Sequence, residues 1–131
     1  MTELTMGVSW LAVFVGAGAS FLVGWLWFSQ KLFGTKWAEG SGVKLGDANE
    51  MPAGAMALQI IGLLLMSWFV GVTAVSSALL TVTLATVAFT VLAYSGGMFS
   101  QKSKYARGTE AGYWIVSLVI MIISQGIFRG M

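Results

Sequence analysis

The chain has 131 residues, of which 57% are hydrophobic and only 9% are charged, and its formal net charge is +2. About a quarter of the residues in a soluble domain are charged, so this composition excludes an ordinary soluble protein. The charge is too small, and the basic residues too scattered, to predict a nucleic-acid partner.

The first apolar segment covers about residues 8–28. At about 1.5 Å rise per residue it matches a hydrocarbon core of about 30 Å, so we predict a membrane span. Every fourth residue along one side of it is small: Ala12, Gly16, Ser20 and Gly24. Such a stripe lets another helix pack closely, and that helix can belong to the same chain or to a second copy.

The segment 29–51 contains three lysines, three acidic residues and several glycines, which predicts a solvated loop. Its beginning places Leu32, Phe33 and Trp37 beside lysines, which predicts an element in the membrane interface. This element can be an anchor, or it can dock a partner or gate a path. Residues 47–50 have the spacing of a capping box, so the next helix is expected to begin there.

The following apolar stretch is about twice as long as one crossing requires, so we predict two spans, about 52–73 and 78–99, with a turn at residues 75–77. Segment 100–110 is polar and predicts a second loop, and a fourth span covers about 111–128. The third span is rich in small and hydroxyl residues, so we expect it at the centre of the bundle. The predicted fold is an all-α membrane domain, residues 1–131, containing a bundle of four transmembrane helices.

The distribution of basic residues predicts the orientation of the chain. Six of the seven lie in the two polar loops: Lys31, Lys36, Lys44, Lys102, Lys104 and Arg107. Only Arg129 lies at the opposite face. The positive-inside rule therefore places loops 29–51 and 100–110 in the cytoplasm and both termini on the non-cytoplasmic side.

Reactive side chains are scarce. Cysteine and histidine are absent, and the central part of each predicted span has no Asp, Glu, Lys or Arg. We therefore expect no catalytic, cofactor-binding or metal-binding residues. The uncharged candidates for a polar lining are Gln59, Thr83, Thr86 and Thr90. Such groups can also hydrogen-bond between helices or to their own backbone.

A tetrapeptide, Phe-Ser-Gln-Lys, ends the first predicted span at residues 28–31 and the third at residues 99–102. A duplicated two-helix unit would produce this recurrence. Polar and basic residues also often follow a span, so chance similarity is the other interpretation.

The segment from Trp27 to Trp37, with residues 111–118 as weaker support, resembles a family of small bacterial membrane proteins of unknown function. Members look like W-[YF]-S-x-x-L-F-G-x-x-W at the end of the first span. The matching positions here are Trp27, Phe28, Ser29, Leu32, Phe33, Gly34 and Trp37. The resemblance implies a four-span protein of the bacterial inner membrane and no particular activity. Gln30 and Trp114 depart from the proline and histidine that many members have.

Three functions follow from these observations. The absence of reactive groups and the small-residue stripe favour a non-enzymatic protein of the lipid bilayer that acts through assembly, as a homo-oligomer or as an accessory subunit of a larger membrane complex. The alternative is an oligomeric channel or carrier for a small neutral solute or ion. A lipid-directed enzyme would have to use the loop carboxylates Glu39, Asp47, Glu50 and Glu110.

Overall fold

The computed structural model describes residues 2–29, 32–41 and 53–128, and all regular structure in these ranges is helical. The helices are α1 Thr2–Thr5, α2 Trp10–Trp27, α3 Gly34–Ser41, α4 Ala53–Val75, α5 Leu79–Phe99 and α6 Lys104–Phe128. Helices α2, α4, α5 and α6 are long and apolar enough to cross a membrane. The predicted all-α bundle with four transmembrane helices is therefore confirmed. The expected capping box lies outside the described residues.

Helix α6 is the centre of the bundle, because it contacts α2, α3, α4 and α5. It runs antiparallel to α2 along the whole length of both helices. The Ser9 hydroxyl donates to the Phe128 carbonyl at one end, and the Trp27 indole donates to the Thr109 carbonyl at the other. The apolar core contains Ala17, Leu63, Val70, Val82, Leu118 and Met121.

Helix α5 lies at the edge of the bundle, so its expected central position is wrong. It packs mainly on α6, and only Val82 and Gly97 are buried along it. Large side chains such as Leu80 and Phe89 point outward. Small and hydroxyl residues permit close approach of helices, but they do not require it. Thr83, for example, satisfies its hydroxyl by donating to its own backbone, at the Leu79 carbonyl.

The turn between α4 and α5 is tight and lies at Ser76–Ser77. The backbone N–H of Ala78 donates to the Thr73 carbonyl at 2.7 Å, which satisfies a carbonyl at the end of α4. Ser77 has a positive φ of 55°, which reverses the chain. Two long helices therefore follow each other with almost no connecting segment.

The segment expected as a second loop is mostly helical, because α6 begins at Lys104 rather than near residue 111. The Ser103 hydroxyl accepts a hydrogen bond from the Ala106 backbone N–H at 3.0 Å and so caps this start. A helix satisfies its backbone in water as well as in lipid, so polar side chains do not end it. The first polar loop similarly contains the short helix α3.

The two Phe-Ser-Gln-Lys segments follow helices that run in the same direction and end at the same face. Phe28 caps the end of α2, whereas Ser100 caps the end of α5, so the two ends differ by one residue. Gln30 and Lys31 lie outside the described residues. Internal duplication and chance similarity therefore both stay open as interpretations of the recurrence.

Candidate functional site

The small-residue stripe of α2 is covered by helices of the same chain. Ala12, Gly16 and Ser20 are buried. A Cβ on Gly16 would lie 2.9 Å from the Ser67 hydroxyl and 3.4 Å from Met121. A Cβ on Gly24 would lie 2.6 Å from the Tyr113 hydroxyl. The stripe therefore serves packing inside the monomer, against α4 and α6.

Tyr113 fills the space that Gly24 leaves. Its side chain is buried, and its hydroxyl donates to the Ser20 carbonyl at 2.7 Å. The side chains of Ser117 and Gln59 lie near the same hydroxyl. A glycine on one helix and a tyrosine on the facing helix thus form one buried polar contact between α2 and α6.

Two serines make similar hydrogen bonds toward the other end of α2. The Ser67 hydroxyl of α4 donates to the Val13 carbonyl at 2.7 Å, and the Ser124 hydroxyl of α6 donates to the Ala12 carbonyl at 2.8 Å. Hydrogen bonds of this kind contribute about 0.6 kcal/mol each in membrane helices. Together with Tyr113 they join α2 to both neighbours and fix the register of the bundle.

The motif at the end of α2 forms a compact turn. Phe28 ends the helix, and the Ser29 carbonyl accepts hydrogen bonds from the backbone N–H groups of Leu32 at 3.2 Å and Gly34 at 2.8 Å. A Cβ on Gly34 would collide with the backbone carbonyl oxygen of Phe28. Glycine is required there because two backbone segments approach closely, not because φ is positive.

Six aromatic side chains surround this turn, and we call them the exit cluster. They are Trp27, Phe28, Phe33, Trp37, Tyr105 and Tyr113. Ring centroids are 4.7 Å apart for Trp27 and Phe33 and 5.0 Å apart for Phe28 and Trp37. Such tilted pairs contribute about 0.5–1.5 kcal/mol each beyond their buried area. The exit cluster therefore fastens the motif to α6.

Polar contacts also attach α3 to the first turns of α6. The Gly40 carbonyl accepts from the Ser103 backbone N–H at 3.0 Å. The Glu110 carboxylate accepts from the Trp37 indole N–H at 3.4 Å and forms an ion pair with Lys102. Glu110 is therefore shared between α3 and the segment that precedes α6.

The four residues predicted as a polar lining are not gathered at one point. Thr86 and Thr90 are half-buried on the side of α5 that carries Val82 and Gly97. Thr83 donates to its own backbone. Gln59 of α4 lies near the Tyr113 hydroxyl instead. In the described ranges, the geometric hydrogen-bond criteria give no partner to the buried side-chain atoms Ser20 Oγ, Ser41 Oγ, Ser117 Oγ and Gln125 Nε2.

The exit cluster includes residues that sequence reasoning did not assign to it. The sequence analysis assigns no role to Tyr105 or Tyr113 and treats Glu110 only as a loop carboxylate. Gly24 and the motif glycine Gly34 signal close packing, but they do not name the residue that packs against them. Only the antiparallel pairing of α2 and α6 brings positions separated by more than 70 residues together.

The described residues hold no group of three His, Asp, Glu or Cys side chains that could bind a metal ion. The six rings of the exit cluster lie beside backbone carbonyls and the shared carboxylate of Glu110. These groups bind by packing and hydrogen bonding. The arrangement is suited to fixing one end of the bundle and to contacting a partner or lipid.

Comparison with known proteins gives one match. The family model described as "Protein of unknown function (DUF1761)" matches residues 11–125. The chain therefore belongs to this family, and the match extends from the second residue of α2 to three residues before the end of α6. No curated protein and no solved structure matches the chain.

Proposed function

We propose that this member of the DUF1761 family is a non-enzymatic membrane protein that acts through assembly, as a homo-oligomer or as an accessory subunit of a larger membrane complex. The observation that carries the proposal is the exposure of α5. Only 11% of its residues are buried, against 33% in each of the other spans. One span of the monomer therefore has most of its surface available to a second protein.

The outward side of α5 also has the composition of a helix interface. Thr81, Ala88 and Gly96 are exposed there, and a Cβ on Gly96 would meet nothing within 4 Å. Because lipid tails are as apolar as leucine, membrane helices associate where small residues let backbones approach closely. The α2 stripe is already covered inside the chain, so assembly would use α5 instead.

Native mass spectrometry from lipid nanodiscs tests the proposal. We expect the parent protein to be released as an oligomer or together with another subunit. Gly96→Leu and Ala88→Leu add bulk to the outward side of α5 and should release monomers that remain folded. Gly18→Leu is the matched control, because Gly18 also faces open space but lies on α2. A parent protein that is always monomeric and alone would contradict the proposal.

The non-enzymatic part of the proposal is supported by the state of Glu110. Its carboxylate is paired with Lys102 and contacts the Trp37 indole, so it serves a structural contact. A general acid or base needs a carboxylate that can reach a substrate proton. If Glu110→Gln abolished a lipid-modifying activity of the purified protein while the fold survived, an enzyme would replace this proposal.

The orientation and location form a second part of the proposal: loops in the cytoplasm, both termini outside, and the bacterial inner membrane as the site. The excess of Lys and Arg at the loop face supports this orientation. Single cysteines at Thr2 and Gly130 should react with an impermeant reagent added to intact cells, whereas one at the exposed Thr35 should not. The reverse labelling pattern would overturn the orientation.

An oligomeric channel or carrier is the second candidate function. The unpartnered polar atoms of Ser20 and Gln125 favour it, because buried polar groups normally have partners and these could be offered to water or a small solute. Flux of small neutral solutes and ions through proteoliposomes would distinguish the candidates. If the oligomer forms but no flux is measured, the channel or carrier is rejected and the assembly proposal is kept.

A further inference from the structure

A groove opens beside the exit cluster. Its volume is about 240 Å³, and its lining consists of Trp27, Phe33, Lys104, Tyr105, Gly108 and Thr109. It lies between the end of α2, the start of α3 and the first turns of α6. The groove is thus at the level where α6 passes from polar to apolar residues, which is the membrane interface.

Two lysines give this groove a positive charge. Lys104 is part of the lining, and the Lys36 ammonium lies 5.3 Å from the ring centroid of Tyr105. Within the described residues, the ion pair is the one between Lys102 and Glu110. Neither Lys36 nor Lys104 is paired with a carboxylate there. Glu39 is exposed on α3 and forms no ion pair there. As far as the described residues are concerned, the charge at the groove is therefore open to an anion.

Two other polar residues of the lining, Trp27 and Thr109, already use their polar groups within the protein. The Trp27 indole N–H donates to the Thr109 carbonyl at 2.9 Å, and the Thr109 hydroxyl donates to the Tyr105 carbonyl at 2.8 Å. What remains available is an apolar groove along the aromatic rings, with the Tyr105 hydroxyl and two ammonium groups beside it. A suitable ligand would have an anionic head and an apolar body.

We propose that this groove binds an anionic phospholipid, with its phosphate beside Lys36 and Lys104 and the beginning of an acyl chain lying against the rings of Trp27 and Phe33. Basic pockets at the membrane interface bind such headgroups by charge, and aromatic side chains hold the adjacent apolar part. The open space in front of Gly108 leaves the groove wide enough for a chain, because a Cβ there would meet nothing within 4 Å.

Native mass spectrometry and thermal unfolding test the site, using nanodiscs that contain either phosphatidylglycerol with phosphatidylcholine or phosphatidylcholine alone. We expect the parent protein to retain phosphatidylglycerol and to unfold at a higher temperature when it is present. Each of Lys36→Gln and Lys104→Gln should weaken retention about fivefold, which corresponds to the usual contribution of a basic residue near an anionic membrane surface. Lys104→Arg keeps the positive charge, so it should retain the lipid as well as the parent protein does.

Gly108→Leu should block the groove and abolish retention while the charges remain. Gly126→Leu is the matched control: it lies 18 residues later on α6, which is five helical turns, so it points to the same side at the opposite face of the membrane. A Cβ there would also meet open space. Equal retention by the parent and Gly108→Leu would overturn the proposal.

Two further results would also overturn it. Equal retention of phosphatidylcholine and phosphatidylglycerol would show that charge does not select the ligand. Displacement of the lipid from detergent-solubilised protein by inorganic phosphate at millimolar concentration would show a site for free phosphate instead. Failure of the site leaves the assembly proposal untouched, because α5 does not line the groove.

Discussion

Helices α2 and α5 are both rich in small residues, yet they are used differently. In α2 the small residues are buried against α4 and α6, and 33% of the span is buried. In α5 that fraction is 11%, and small residues such as Ala88 and Gly96 face outward. A small residue therefore marks where another helix can come close, but close packing occurs only where that helix has a side chain that fits.

The largest expected effect distinguishes α2 from α5 directly. Gly24→Leu would force a large side chain into the position of the Tyr113 hydroxyl, which lies 2.6 Å from the Cβ position. We expect it to lower the free energy of unfolding by about 3 kcal/mol or more, because the tight seam between α2 and α6 cannot accept extra volume. Unfolding in mixed micelles, followed by circular dichroism, measures this loss.

The matched control is Gly96→Leu in α5, where the added side chain meets open space. Its free energy of unfolding should change by less than about 0.5 kcal/mol. If Gly24→Leu were as stable as Gly96→Leu, the buried seam would not hold the bundle together and the comparison would fail.

A somewhat smaller effect is expected at the motif. Gly34→Ala places a methyl group against the Phe28 carbonyl, so the turn must move and α3 should leave α6. A cysteine introduced at the buried Ala38 reports this movement, since the chain has no other cysteine. We expect its reaction with a thiol reagent to accelerate about tenfold, which corresponds to about 1.4 kcal/mol.

Gly108→Ala provides the control, because it adds the same methyl group to α6 where nothing lies within 4 Å. The introduced cysteine should then react as fast as it does in the background protein that carries only Ala38→Cys. Unchanged reactivity in Gly34→Ala as well would show that the motif tolerates a side chain and that the close backbone approach is not essential.

The hydrogen bond between Tyr113 and Ser20 should contribute less. Tyr113→Phe removes the hydroxyl that donates to the Ser20 carbonyl but keeps the ring. We expect a loss of about 0.6 kcal/mol in the free energy of unfolding, which is the average for hydrogen bonds between membrane helices. Tyr105→Phe is the control, because its hydroxyl makes no hydrogen bond in the described part of the chain, and it should cost clearly less.

The smallest effect is expected in α5. Thr86→Val replaces a half-buried hydroxyl by a methyl group of similar size, and the described residues offer that hydroxyl no hydrogen-bond partner from another helix. The free energy of unfolding should therefore change by less than about 0.5 kcal/mol. A loss above about 1 kcal/mol would show that this hydroxyl forms a hydrogen bond to a neighbouring helix, and α5 would then resemble α2 in how it is held.

Much of the architecture was determined by the sequence alone. Apolar runs of bilayer length predict four spans, and α2, α4 and α5 begin and end within about two residues of the prediction. The turn at Ser76–Ser77 lies at the position predicted from the length of the apolar stretch. These features are local, since each residue contributes its own transfer free energy between water and lipid whatever its neighbours are.

The pairing of the helices was decided only by the tertiary structure. The position of α6 at the centre, the fit of Tyr113 into Gly24 and the contact of Trp37 with Glu110 join residues that are far apart in sequence. In lipid no gain in hydrophobic burial favours one helix pair over another, because the tails are as apolar as the side chains. The choice depends on close packing and a few hydrogen bonds, and these exist only once both helices are in place.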